Sequence, residues 1–454
     1  MTFSIIIRKT TMAAALGNML EFYSFTLFSL FLPTLLPLFF PSTDYFASLL
    51  SGYLVFAVGF FAYPFGSLLF GYIGDQYGRK IALMISISLM TIATSLIGLL
   101  PSYEQAGVFS PLALFCCRIL QGICAGGEAI GAGILVVEHA KKESTMCFLG
   151  SIPAAFGTMG ALQASLIVYL FFKYDLPLEW WRIPFIAALL LGLIGFYFRQ
   201  AMVESPIFKK ETQTLRRLST FSVWEVFKKT PFSLIPAAAV GALGTVPFYL
   251  VIGFLNIYLS DIGAITSVER ATINMTLLFF CTLTLPLAGY IADRIGYFNL
   301  MIISSFSTLL YAYPFFYMVF KGSFLFVLMA ELILLGISQL YVAPINAFIS
   351  KLFPTHLRYK GAALGYCLGM ALCGGTAPYI STLLIKISGN NIMPFCYLIF
   401  VSFLGLVGVL LGQRIITKNL SKQVIKSSSD RLFILDKLWP LFSNKKRQKI
   451  IENT

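Results

Sequence analysis

The chain has 454 residues, of which 58 % are hydrophobic and 11 % charged, with a formal net charge of +14. Soluble domains carry about 25 % charged residues, so this composition excludes an ordinary soluble domain and points to a chain largely immersed in lipid. A basic excess can signal nucleic-acid binding, but the distribution of the charge along this chain excludes that reading.

Apolar stretches lie near 13–40, 52–73, 81–101, 110–136, 146–173 and 182–198, and resume near 230–258, 271–292, 298–320, 323–349, 359–386 and 393–412. A helix needs roughly 20 apolar residues to cross a bilayer, so each stretch is long enough for one crossing. The natural parse is an all-α membrane protein with twelve transmembrane helices in two six-helix pseudo-symmetric bundles. The bundles occupy 1–198 and 230–412, joined by a linker at 199–229 and followed by a basic tail at 413–454. The first apolar run is too long for a cleavable signal peptide.

With both ends placed in the cytoplasm, 27 of the 33 Lys and Arg fall on that side, five on the other, and Arg118 is left inside a span. This is the positive-inside bias that orients membrane proteins. The basic charge therefore reports topology and contact with the lipid bilayer, not nucleic acid. All eight cysteines lie in or near apolar runs without metal-type spacing, and no metal site is expected. His139 and His356 fall in loops, so neither is a good intramembrane proton carrier. No phosphate-binding Gly-x-x-x-x-Gly-Lys-Ser/Thr loop occurs, and no cofactor is implied.

Between the second and third stretches the chain reads Gly71-Tyr-Ile-Gly-Asp75-Gln-Tyr-Gly78-Arg79-Lys80, and between the eighth and ninth Gly289-Tyr-Ile-Ala-Asp293-Arg-Ile-Gly296. The same Gly-x-x-x-Asp-x-x-Gly pattern at matching places in two halves indicates a duplicated bundle, the architecture of a secondary transporter. The first copy resembles the signature loop of the major facilitator superfamily. That resemblance implies a latch between the bundles, built on Gly71, Asp75, Gly78 and Arg79. The second copy has Tyr297 where Arg79 would fall, so Asp293 is expected to contribute less than Asp75.

Further segments are similar to the metabolite:proton symporter family within that superfamily. They are Gly17-Asn18-Met-Leu-Glu21-Phe22-Tyr23-Ser24-Phe25, Arg118-Ile-Leu-Gln121-Gly122 with Gly126-Gly127-Glu128, Trp181-Arg182-Ile183-Pro184-Phe185, Glu204-Ser205-Pro206, Phe353-Pro354-Thr355-His356 and Gly374-Gly375-Thr376-Ala377-Pro378. Members move proline, glycine betaine, 2-oxoglutarate, citrate, shikimate and aromatic acids with protons. The resemblance therefore implies a small-molecule substrate and protons as partners, and a bacterial inner membrane. Two departures stand out: Ser24 replaces the family's usual aspartate, and Phe22 its usual tryptophan.

Glu21, Arg118, Glu128 and Glu331 are the charged residues expected at membrane depth. Such a residue costs roughly 2.5–3.5 kcal/mol at the centre of a span on insertion scales, so it is retained where it has a partner or a wet cavity. Arg118, Gln121 and Glu128 follow helical spacing on one face of the fourth span, as do Asn18 and Glu21 on the first. By resemblance these two spans line the central cavity, whose wall would hold one fixed cation and two titratable carboxylates.

Glu21 is the leading proton-coupling candidate and Glu128 the second. Arg118 is the candidate grip on a substrate carboxylate, or else a structural partner of Glu128. Asn18, Gln121, Tyr23, Asn256 and Asn346 complete the substrate-binding set, and aromatic rings such as Phe22 and Phe248 suit a quaternary ammonium. Glu331 has no basic partner in view. The function expected is import of a small polar metabolite with protons by alternating access. An uncoupled or exchange carrier, or a non-transporting nutrient sensor, stands as the alternative.

Overall fold

The computed structural model describes residues 2–42, 45–128, 131–138, 140, 143–200, 223–261, 265–321, 323–354 and 357–419. His139, His356, most of the basic linker, the Glu204-Ser205-Pro206 segment and the tail beyond 419 lie outside that set, as do the side chains of Asp75 and Arg79. Twelve helices are long and apolar enough to cross a membrane. Numbered as spans 1 to 12 in chain order, they are Thr11–Phe39, Ala47–Gly74, Lys80–Leu99, Phe109–Glu138, Met146–Lys173, Leu178–Gln200, Pro231–Leu259, Ser267–Ile295, Tyr297–Phe320, Phe324–Leu352, Arg358–Ser388 and Pro394–Asn419. Among the described residues there is no strand. Large apolar side chains such as Phe65, Leu190, Phe232 and Leu310 point outward, as expected where lipid rather than water surrounds the helices.

The duplicated loop motif produces the same backbone twice. Gly78 ends the helix of span 2 with φ +107° and ψ +147°, and Gly296 ends span 8 with φ +97° and ψ +126°. Both lie at positive φ, which only glycine tolerates cheaply. Each amide returns to a carbonyl four residues back, Gly78 to Gly74 at 3.2 Å and Gly296 to Ala292 at 3.0 Å. The next span begins at once.

The two bundles meet along a seam where span 5 of the first lies lengthwise against span 8 of the second. Gly289 permits this contact: a β-carbon there would come within 2.6 Å of Ser151 Oγ and 2.8 Å of the Cys147 carbonyl oxygen. Spans 7 and 11 each contain a π-helical turn, Leu250–Leu255 and Met370–Gly374. Such turns admit one extra residue and re-aim the side chains around them.

Span 8 begins before its apolar run does, because Thr266 and Glu269 form a reciprocal capping box. The Thr266 hydroxyl accepts the Glu269 amide, and the glutamate reaches back to the Thr266 amide at 2.9 Å. This extra helical turn draws Arg270 into the protein interior, where it is 1 % exposed.

Candidate functional site

Three tiers of polar groups run up the inside of the first bundle. Nearest the signature-loop end, Arg199 of span 6 makes a two-pronged ion pair with Glu128 of span 4, at 2.5 and 2.7 Å. Ser86 donates to the same carboxylate at 3.0 Å. Both members are buried. Gly17 of span 1 makes room for the guanidinium, since a β-carbon there would sit 1.6 Å from Arg199 Nη2. The glycine of the Gly-Asn-x-x-Glu element thus has a steric reason.

One turn further along span 1, Glu21 accepts the Tyr63 hydroxyl at 2.9 Å through Oε1, while Oε2 has no partner. Asn18 Oδ1 beside it is likewise unpartnered.

In the third tier, Arg118 donates to Gln121 at 2.8 Å, Gln121 to Thr94 at 2.9 Å, and the Thr94 hydroxyl lies 3.0 Å from that of Ser24. The guanidinium sits over Phe25 and Phe28 at 4.3 and 4.4 Å, with Phe56 at 5.6 Å. Among the described residues no carboxylate lies within ion-pairing distance of it. Aromatic faces and neutral oxygens hold this cation, and Ser24 stands at the end of the chain that holds it.

Glu21 and Asn18 open onto a cavity of about 90 Å³ between the bundles. Phe22 also lines it from the first bundle; Phe248, Tyr249, Gln339, Asn346 and Tyr366 line it from the second. Phe22 meets Phe248 edge-on across the seam at 5.9 Å. Among the described residues the hydroxyls of Tyr249 and Tyr366 make no hydrogen bond. Glu21 is the one ionisable acid or base among the described Asp, Glu, Lys and Arg residues lining this cavity, and no cation faces it.

Beyond the cavity, toward the signature loops, the bundles are tied together. The Asp293 carboxylate accepts the backbone N–H of Cys147 and of Phe148, each at 2.9 Å, at the start of span 5. Asn346 donates to the Gly150 carbonyl at 2.8 Å, Tyr359 to that of Gly127 at 3.0 Å, and Arg358 pairs with Glu138 at 3.2 Å. In the second bundle a buried ion pair joins Arg270 and Glu331 at 2.7 Å.

A family profile described as the Major Facilitator Superfamily matches residues 14–378. The chain belongs to that superfamily. It is 30 % identical over 415 residues to the "Proline/betaine transporter" of Escherichia coli (strain K12), covering 88 % of this chain and 82 % of that protein. It is also 30 % identical over 414 residues to the "Glycine betaine/proline/ectoine/pipecolic acid transporter OusA" of Dickeya dadantii (strain 3937), with the same coverage. Its backbone is similar to the crystal structure of D-xylose-proton symporter, with a TM-score of 0.69, 17 % identity, and coverage of 90 % of this chain and 97 % of that one. The protein is thus an integral membrane transporter of the superfamily, not an enzyme.

Several sequence expectations about the site need correction. Arg118 and Glu128 share a helix face, but ten residues of helix separate them by about 15 Å, and Glu128 pairs with Arg199 instead. Neither lines the central cavity: Arg118 is covered by Phe25, Phe28 and Phe56, and Glu128 is enclosed by Arg199 and Ser86. Tyr23 points into the first bundle, where its hydroxyl donates to the Pro184 carbonyl at 2.8 Å. Asn256 faces a second cavity nearer the opposite end. Gln121 is buried in the chain that holds Arg118. Glu331 does have a basic partner, Arg270.

Asn18, Glu21 and Asn346 line the one central cavity. In the loops, a β-carbon at Gly71 would make only ordinary contact, with Lys360 Cγ at 3.5 Å, whereas Asp293 is firmly engaged across the seam. Lys351 Nζ lies 5.5 Å from the ring of Tyr297, the residue standing in Arg79's place.

Sequence reasoning missed Arg199, Arg270 and Tyr63. The first two lie at the ends of apolar runs, where basic residues are read as topology. The Thr266-x-x-Glu269 box was the available signal that Arg270 sits inside a helix. Nothing in the sequence marked Tyr63 as the partner of Glu21.

Proposed function

We propose that this protein imports a small zwitterion of the proline or betaine type together with protons, by alternating access, across a bacterial inner membrane with both termini in the cytoplasm. One observation carries the choice of substrate class: the central cavity presents a carboxylate and aromatic rings but no Lys or Arg among its described lining residues. A di- or tricarboxylate would lie there without a counter-charge. A zwitterion offers its cationic nitrogen to Glu21 and to the faces of Phe22 and Phe248. Its carboxylate can take hydrogen bonds from the free hydroxyls of Tyr249 and Tyr366 and from neighbouring amides. The two relatives are named for such compounds.

Glu21 is the proton carrier in this reading. An ionised carboxylate in a closed cavity needs a counter-charge or water, whereas a protonated one does not. The loaded bundles therefore reorient with Glu21 protonated and the substrate bound beside it, and the empty bundles return after the proton has left, with water about the carboxylate. Asp293 and its neighbours latch the cytoplasmic side while the other side exchanges substrate. Arg118 supplies a fixed positive charge one turn of span 1 beyond Glu21 and binds no substrate directly. Glu128 with Arg199 ties spans 1, 4 and 6 into one unit. Ser24, where the resembled family motif has an aspartate, favours a second reading as an exchanger, which would show substrate exchange indifferent to a proton gradient.

The test is uptake into proteoliposomes of labelled L-proline, glycine betaine, 2-oxoglutarate, citrate and shikimate, with and without an inward proton gradient. Gradient-driven accumulation of proline or betaine is expected. Accumulation of the organic acids and of neither zwitterion would overturn the reading.

A further inference from the structure

A second cavity, of about 200 Å³, lies on the same seam toward the end opposite the signature loops. Spans 1 and 5 of the first bundle and spans 7 and 8 of the second line it, including Thr34, Ser165, Asn256, Arg270 and Asn274. Along spans 1 and 5 it begins about 10–12 Å beyond the central cavity, seven to eight residues further on.

Its polar groups are buried and incompletely satisfied. Arg270, 1 % exposed, spends Nη1 on Glu331 at 2.7 Å and Nη2 on the Val251 carbonyl at 2.9 Å, leaving Nε without a partner. Asn274, also 1 % exposed, donates Nδ2 to Asn256 at 2.5 Å and leaves Oδ1 unpartnered. The Ser165 hydroxyl, fully buried, has no partner either. Buried polar atoms left unmet are costly, and a few of them converging on one cavity imply a ligand that meets them.

We infer that this cavity is an outer waiting site for an amino-acid zwitterion that carries an N–H, such as L-proline. The guanidinium edge of Arg270 meets the carboxylate, and Asn274 Oδ1 with Ser165 Oγ takes the ammonium hydrogens. The inference rests on the zwitterion reading of the central cavity but differs from it in chemistry. The central cavity offers aromatic faces that suit a quaternary nitrogen. The outer one offers hydrogen-bond acceptors that glycine betaine, which has no N–H, leaves unsatisfied. Glu331 keeps Arg270 in place without entering the cavity, so the outer site retains a cationic edge while remaining electrically balanced overall.

The test uses the full chain in proteoliposomes with Cys116→Ser and Cys396→Ser to remove the two exposed thiols. Thr34→Cys reports on the outer cavity and Ser338→Cys on the central one, each read as the rate of modification by a small methanethiosulfonate reagent. L-Proline is expected to slow labelling several-fold at both positions. Glycine betaine is expected to slow it at 338 but not at 34. Adding Asn274→Val and Ser165→Ala should abolish protection at 34 and leave it at 338. Protection at 34 that survives those two substitutions, or that betaine gives equally, would mean closure of the protein and would overturn the outer site. Protection at 338 with none at 34 overturns it too and leaves the central reading standing. Protection at 34 with none at 338 supports the outer site and overturns the central reading.

Discussion

Glu128 and Arg199 form a two-pronged ion pair at 2.5 and 2.7 Å with neither partner exposed to solvent by more than 3 %. One partner comes from a helix whose spacing had joined it to Arg118; the other stands at the edge of the basic linker. Removing one member of such a buried pair costs about 3–5 kcal/mol, because the remaining charge has no counter-ion. Glu128→Gln should therefore lower the yield of folded protein in detergent, measured by size exclusion and thermal melting. The double variant Glu128→Gln, Arg199→Gln should recover much of it. A singly substituted protein that folds normally but has lost proton-driven uptake would place Glu128 on the proton path instead.

Asp293 should matter to closure even though its loop has Tyr297 in place of the arginine. Its carboxylate meets two backbone amides across the seam, and hydrogen bonds to a charged group are worth about 1.5–3 kcal/mol each. Asp293→Ala should weaken closure of the signature-loop end. Thiol labelling of a cysteine introduced at Ala154, deep on that side, should accelerate roughly tenfold or more, since 1.4 kcal/mol is a factor of ten. Unchanged labelling would mean that the Asn346, Tyr359 and Arg358 contacts suffice alone.

Ser24 and Arg118 provide a charge test. Arg118 is held by Gln121, ring faces and the Phe56 carbonyl without a carboxylate. Arg118→Lys keeps the charge but loses the forked hydrogen-bonding pattern, and should destabilise the protein by about 1–3 kcal/mol, the range for an unsatisfied buried group. Ser24→Asp brings a carboxylate to the far end of the same chain and should raise the melting temperature, with little dependence on salt because both positions are buried. A drop in stability would show that the aromatic setting excludes a second charge.

Orientation is tested by reporter fusions. Those after Leu218 and after Lys422 should report cytoplasm, and one after Tyr103 the outside, because basic charge is concentrated on the side of the signature loops. A periplasmic signal at 218 would invert the assignment of both cavities.

The parts of the fold written in the sequence are those governed by local chemistry. Apolar run length set the twelve spans, and the paired glycines at 78 and 296 announced two identical helix ends. The Asn18–Glu21 face was readable from helical spacing, and it does reach the cavity. What could not be read is which charge finds which partner. Arg199 and Arg270 sit at span ends, where the same residue type can equally snorkel into water. Only the packing of span 6 against spans 1 and 3, and of span 8 against span 10, turns them inward. Helical spacing likewise aligned Arg118 with Glu128 but is silent about the distance along the axis.

The most direct test of the central claim measures proton movement with substrate in proteoliposomes carrying an internal pH dye. Adding L-proline or glycine betaine outside should acidify the lumen of vesicles holding the parent protein. Glu21→Gln, which keeps the shape of the side chain but cannot cycle a proton, should abolish that acidification while preserving exchange of labelled for unlabelled substrate. Acidification that persists in Glu21→Gln would contradict the assignment of Glu21 as the coupling carboxylate.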